Sequence, residues 1–288
     1  MRPHQIGAIS VEKVTEYEFW FEPSDAFPDY DPDIALAHRD WLGPDFFDFS
    51  TMRIRSSIHS YVLRTKRHCI LIDTCVGNDR DRVQPMWHQQ RGPYLENLTK
   101  AGVDPDEVDF VMCTHLHGDH VGWNTRLDNG RWVPTFANAQ YIFSKSDYDY
   151  FNAARPGDRH YLPMVDAVRP IVEAGKASIV GNDFAIDDEV AIYPTPGHTP
   201  GHYCVSLSSA GRLAMLTGDL MHHPIQVNRP DWSSRFCYDP EQSRRTRQRF
   251  VDDHADRDVV IFAAHFPGPT AGRIMSTPRG GIFRLTAL

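Results

Sequence analysis

Short apolar runs of strand length punctuate the chain at residues 58–63, 69–72, 110–113, 140–143, 190–193, 203–207, 213–216 and 259–263. Most are rich in β-branched and aromatic side chains, and the Leu-Ala-Met-Leu of 213–216 is uniformly apolar, patterns that predict strands. Helical periodicity is scarcer. Residues 94–101 predict a helix ended by Gly102 ahead of Val103-Asp104-Pro105, and residues 240–254, opened by Asp239-Pro240 and rich in Arg, predict a surface helix. Strands dominate first and helices intervene later, which predicts a layered α/β or α+β fold.

One stretch breaks this rhythm. Between residues 17 and 49 the chain places Tyr17, Phe19, Trp20, Phe21, Phe27, Tyr30, Trp41, Phe46, Phe47 and Phe49, interleaved with Pro and Asp. Such a mixture is poor helix or strand material. It is expected to be an ordered extension whose rings pack onto its own core, a twin subunit or a ligand channel. With no internal repeat, low-complexity tract or Pro/Gly/Ser linker, the simplest organisation is one domain over 1–288 with residues 1–50 as its aromatic-rich N-terminal extension.

Composition narrows the partners. At 288 residues the chain can bury a core without stapling, and its formal net charge of -8 repels phosphate backbones and anionic membranes. Nucleic acid and membrane are therefore not expected as partners, and the Arg244, Arg245, Arg247 and Arg249 group reads as a solvated helix face. The start, Met1-Arg2-Pro3-His4, meets Glu12 and Lys13 too soon for a signal-peptide core, and no eighteen apolar residues run together. The expected location is the cytoplasm. Five scattered cysteines fit reduced thiols, with Cys69 and Cys75 the one close-spaced pair.

The chemistry concentrates where the 110–113 run ends. Thr114-His115-Leu116-His117-Gly118-Asp119-His120 packs three imidazoles and a carboxylate into six positions, and Gly118 gives the backbone freedom to turn. Neutral imidazole and carboxylate are the ligands that zinc-like divalent metals prefer, and burying them without a cation is costly. Three further groups follow apolar runs: His198 in Pro196-Gly197-His198-Thr199-Pro200-Gly201-His202, Asp219 in Leu216-Thr217-Gly218-Asp219, and His265 after Ile261-Phe262-Ala263-Ala264. Together they suffice for two metals sharing a carboxylate. The remaining lone histidines, His4, His38, His59, His68, His88, His160 and His254, are expected to have no such role.

In order, Asp73, the His-X-His-X-Asp-His of 115–120, Gly197-His198, Asp219 and His265 resemble the five motifs of the metallo-β-lactamase superfamily, over roughly residues 58–267. The resemblance implies an αββα sandwich. It implies that His115, His117 and His198 hold one divalent ion, most simply Zn2+, and that Asp119, His120 and His265 hold a second. Asp219 would bridge the two, with Asp73 supporting a ligand from behind; His202 is not needed. The stretches 217–226 and 264–269 look like the lactonase and methyl-parathion-hydrolase-like branch, except that His222 stands where the best-known homoserine-lactone hydrolases carry tyrosine. What this implies is opening of a lactone or ester ring, such as an acyl-homoserine lactone, by a metal-bridging hydroxide. Asp119 would move a proton, and His222, or His223 if the turn points the other way, would steady the oxyanion. The alternatives are phosphotriester or aryl-ester hydrolysis and glyoxalase-II-like thioester hydrolysis. The expected substrate is a small neutral molecule with an apolar tail, and a homodimer through the aromatic extension is a further expectation.

Overall fold

In the computed structural model, which describes residues 3–286, all eight expected strands form. Seven end within two residues of their expected limits, and the 58–63 run is the second half of a longer strand, Arg53–Arg64. The helices appear as Tyr94–Lys100 and Pro240–His254, the latter capped by the Asp239 side chain accepting from Gln242 N. Arg247 departs from the expected solvated face: it is buried and donates to the carbonyls of Leu220, Pro230 and Trp232. Residues 1 and 2 of the N-terminal reading lie outside the described residues.

The chain divides into two units. One comprises the residues up to Tyr17 together with Ile58–Phe184; the other comprises Glu18–Ser57 and Ala185–Leu288. No linker announces this division, because its first two boundaries fall inside continuous strands, Ile9–Phe21 and Arg53–Arg64.

In the first unit, Cys69–Ile72, Phe110–Met112, Gln140–Ser144 and Ala177–Val180 pair in parallel, with Ile70 opposite Phe110 and Phe110 opposite Gln140. Their near-continuous apolar runs are what parallel strands covered on both faces require. The carboxyl end of Phe110–Met112 feeds directly into the histidine loop, the edge of a parallel sheet where ligands characteristically gather.

Two buried polar knots fasten the chain around this loop. Glu16, on Ile9–Phe21, accepts from Val76 N at 2.9 Å, Gly77 N at 3.1 Å and Trp123 Nε1 at 2.7 Å. Asp166 takes two guanidinium groups: Arg80 Nη1 at 2.9 Å and Arg82 Nη1 at 2.6 Å, with Arg82 Nη2 at 3.0 Å. Arg80 also donates to the carbonyls of Gly122 and Thr125, just beyond the histidine loop.

The second unit holds a six-stranded sheet running from Val190–Pro194 through Tyr203–Ser209, Arg212–Leu216, Val259–Phe262 and Ala271–Thr277 to Gly280–Leu285. Only the Arg212–Leu216/Val259–Phe262 pair is parallel. Asp219 and His265 thus lie just past the ends of adjacent parallel strands.

The aromatic segment departs from its expectation. Its first residues continue the strand Ile9–Phe21, and the rest forms three short helices, Pro23–Ala26, Pro32–Ala37 and Arg39–Leu42. Proline explains two of them: Pro23 and Pro32 sit at a helical first position, where a missing N–H costs nothing. Three of the rings enter the core of their own unit, while Trp20 is exposed. Phe27 and Phe47 pack with Ile225 and Trp232, and Phe46 packs with Met215, Phe266 and Phe283.

The five cysteines are free thiols. Among the described residues no helix is long and apolar enough to cross a membrane.

Candidate metal centre

In the first unit, His115, Asp119 and His120 are buried and His117 is half-buried. His115 Nε2 lies 3.0 Å from His117 Nδ1, and the His115 and His120 ring centroids are 4.0 Å apart. Asp73 works from behind the loop. One carboxylate oxygen accepts from Thr114 N at 2.7 Å, and the other accepts from Thr114 Oγ1 at 2.8 Å and from His120 Nδ1 at 2.9 Å. A carboxylate on the outward nitrogen fixes the tautomer so that Nε2 faces inward with its lone pair. Asp119 Oδ2 stands 3.7 Å from that Nε2.

Gly118 has its expected importance for a different physical reason. The backbone there is not left-handed; the space is filled. A Cβ would lie 3.1 Å from Pro163 Cγ and 3.3 Å from Arg82 Nε, so the loop is gripped where it passes the paired arginines. His160, expected to have no role, stacks on His117 with centroids 5.2 Å apart and planes 11° from parallel. Nothing in the linear sequence signals that contact.

In the second unit the organising group is Asp219. Its carboxylate meets three imidazole Nε2 atoms: His198 at 3.3 Å, His222 at 3.2 Å and His265 at 3.0 Å. All four side chains are buried. Burial opposes protonation of His198, but the Asp219 carboxylate and the Cys237 sulfur together outweigh it and hold the ring at about 9. Burial pushes His222 down to about 4 despite the same carboxylate, so its ring is neutral at physiological pH.

The neighbours separate structural from available groups. His202 Nε2 accepts from Asp219 N at 3.0 Å while its Nδ1 meets Thr195 Oγ1 at 2.8 Å, so it positions the Asp219 backbone. His223 is likewise committed: Nε2 donates to the Phe46 carbonyl at 3.1 Å and Nδ1 accepts from Ile225 N at 3.3 Å. His222 Nδ1, by contrast, is buried without a hydrogen-bond partner. His265 is anchored by Nδ1 donating to the Ser57 carbonyl at 3.2 Å. Cys237, which no sequence signal singled out, places its Sγ 3.6 Å from His198 Nδ1. Burial raises that thiol, but His198 more than offsets it and draws it down to about 6.

Gly197 sets the approach of His198. Its φ is +133, and a Cβ would fall 2.4 Å from Ser243 N. Side chains rarely adopt this conformation, and there is no room to relax. Gly197→Ala is therefore expected to shift His198, lowering bound metal per chain in elemental analysis and activity by roughly tenfold or more, in the range for displaced ligand supports.

The donor set fits divalent cations. Within one unit or the other, His115 with His117, Asp119 with His120, and His198 with Asp219 each offer ligand atoms within 4.8 Å. Neutral imidazole nitrogens and carboxylate oxygens at strand ends are what borderline metals select.

Sheets whose strand ends carry buried histidine and aspartate ligand groups define a metallo-hydrolase. The chain belongs to the metallo-beta-lactamase superfamily, whose family model matches residues 53–265. Its relatives include the N-acyl homoserine lactonase AiiA of Bacillus thuringiensis subsp. kurstaki, 23% identical over 71% of this chain and 79% of that one. A probable metallo-hydrolase of Mycobacterium tuberculosis is 26% identical over 73% of this chain and 74% of its own. Among solved structures, the dizinc quorum-quenching lactonase AidC, in complex with the product N-hexanoyl-L-homoserine, superimposes with a TM-score of 0.82 at 20% identity, covering 100% of this chain and 97% of the other. The fold expected from the five motifs is thus the fold of the structure.

Proposed function

We propose that the protein is a dinuclear-metal hydrolase that opens a lactone ring, with acyl-homoserine lactones as the leading substrate class. The observation that carries the reading is the buried Asp219 carboxylate with three imidazole nitrogens within 3.3 Å. A carboxylate surrounded in this way is suited to bridge two cations. The relatives and neighbours named as lactonases support the choice of bond.

In this reading His115, His117 and His198 hold one ion, Asp119, His120 and His265 the other, and Asp219 serves both. Zinc suits this donor set. Bound, the ions supply Lewis acidity for the ester carbonyl and hydroxide at neutral pH. The chain's own groups do the rest. Asp119 accepts the proton released on attack and passes it to the leaving alkoxide. His222 would donate to the developing oxyanion from Nδ1, in the tautomer whose Nε2 accepts from Ser234 Oγ at 3.4 Å, a task for which His223 has no free nitrogen. The substrate is a small neutral ester, and the cellular setting in this reading is the cytoplasm.

The test is proton release by metal-loaded protein against acyl-homoserine lactones and simple γ- and δ-lactones, beside an aryl ester, a thioester and a phosphotriester. Rapid lactone opening that disappears with chelator is the expected result. Turnover of the phosphotriester, aryl ester or thioester with silence on every lactone overturns the lactonase reading and moves the same centre to that bond.

A further inference from the structure

The outward nitrogens of three proposed ligands are held by three different chemistries. His120 Nδ1 donates to the Asp73 carboxylate at 2.9 Å, and His265 Nδ1 to the Ser57 carbonyl at 3.2 Å. His198 Nδ1 instead faces sulfur, 3.6 Å away on Cys237.

The sulfur has not drifted there by chance of packing. Cys237 Sγ lies 3.4 Å from Ser243 Oγ, an oxygen that accepts from the buried Arg247 Nη2 at 2.8 Å. Ser234 Oγ lies 3.4 Å from the same sulfur and 3.4 Å from His222 Nε2. The backbones are tied as well, with Tyr238 N donating to the His198 carbonyl at 2.8 Å and Asp239 N to that of Gly197 at 3.0 Å. Held between Ser243, Ser234 and the tied backbones, the sulfur presents a lone pair to the N–H of His198.

Resting on the ligand set proposed above, we infer that Cys237 is the positioning residue of His198, fixing the tautomer and ring plane of that ligand and thereby the affinity of the ion it serves. The sulfur accepts from Nδ1, which turns Nε2 with its lone pair toward the ion and fixes the plane of the ring.

The experiment compares wild type, Cys237→Ala, Cys237→Ser and His198→Ala. Zinc affinities are measured by competition with a chromophoric chelator, absorption spectra on the cobalt(II)-substituted proteins, and melting points on the metal-free forms. Removing the support behind a ligand typically costs 10- to 100-fold in metal affinity. Cys237→Ala is expected to weaken one ion by about that factor and leave the other unchanged, with an altered cobalt spectrum and a metal-free melting point equal to wild type. Cys237→Ser, which keeps an acceptor, is expected to lose less.

Wild-type affinities and spectrum in Cys237→Ala, equal losses in the alanine and serine variants, or a matching drop in metal-free stability overturns the inference. His198→Ala separates the two levels. If it loses one ion while Cys237→Ala loses none, the inference alone fails; if it keeps both ions, the ligand set fails and takes the inference with it.

Discussion

Asp219→Ala is expected to abolish hydrolysis and to lower bound metal below two ions per chain. The carboxylate is the common partner of His198, His222 and His265, and its removal leaves three buried imidazoles facing a void. It also removes the one group proposed to serve both ions. Lewis-acid stabilisation is worth several kcal/mol, and at about 1.36 kcal/mol per decade its loss lowers kcat/KM by at least about a thousandfold. Initial rates at saturating zinc, with elemental analysis of the dialysed protein, check both halves. His254→Ala is the matched control: its ring bonds the Phe250 carbonyl one helical turn back and stacks on Phe250 at 4.1 Å, so neither activity nor metal content should change. Full activity in Asp219→Ala removes the dinuclear reading.

The second large effect is one of stability. Asp166→Ala removes the carboxylate that Arg80 and Arg82, both buried, share, leaving Glu16 as the nearby acid of Arg80 alone. Removing one partner of a buried ionic group costs about 3–5 kcal/mol, because the remaining charge stays out of water. At roughly 2–4 °C per kcal/mol for domains of this size, the melting midpoint should fall by about 6–20 °C. A calorimetric scan of metal-free protein measures it without interference from ligand binding. Because Arg82 abuts the histidine loop at Gly118, metal affinity should fall as well. A midpoint within 2 °C of wild type contradicts the account of the knot as a structural brace.

What was legible in the sequence follows a physical line. Strands covered on both faces, such as Cys69–Ile72 and Phe110–Met112, write themselves as uninterrupted apolar runs. Ile9–Phe21 went unseen because Glu12, Lys13, Glu16 and Glu18 break up its apolar positions, although Ile9, Val11 and Val14 are buried. The edge hairpin Ala271–Thr277/Gly280–Leu285 was hidden by its arginines and glycines. The proposed ligands were visible because a cluster like 115–120 has few other uses. Their supports were not: Asp73 was found only through its motif, and Cys237, Ser57 and His160 reach the histidines through space, from positions with no mark of their own.

Each unit is assembled from two stretches far apart along the chain, and this sets the order in which the molecule can be born. The first unit is complete once Phe184 has left the ribosome, but residues 18–57 have by then been waiting for core partners not yet synthesised. Phe27 and Phe47 need Ile225 and Trp232; Phe46 needs Phe266 and Phe283. At elongation rates of roughly 5–20 residues per second, the interval between Ser57 and Phe283 is on the order of 10–45 s. Throughout it the aromatic segment has only its own Ala35, Leu42 and Ile54 to pack against. An apolar segment that waits this long for its partners is exposed to aggregation, so a substitution that leaves the finished molecule untouched can still change how much of it is made.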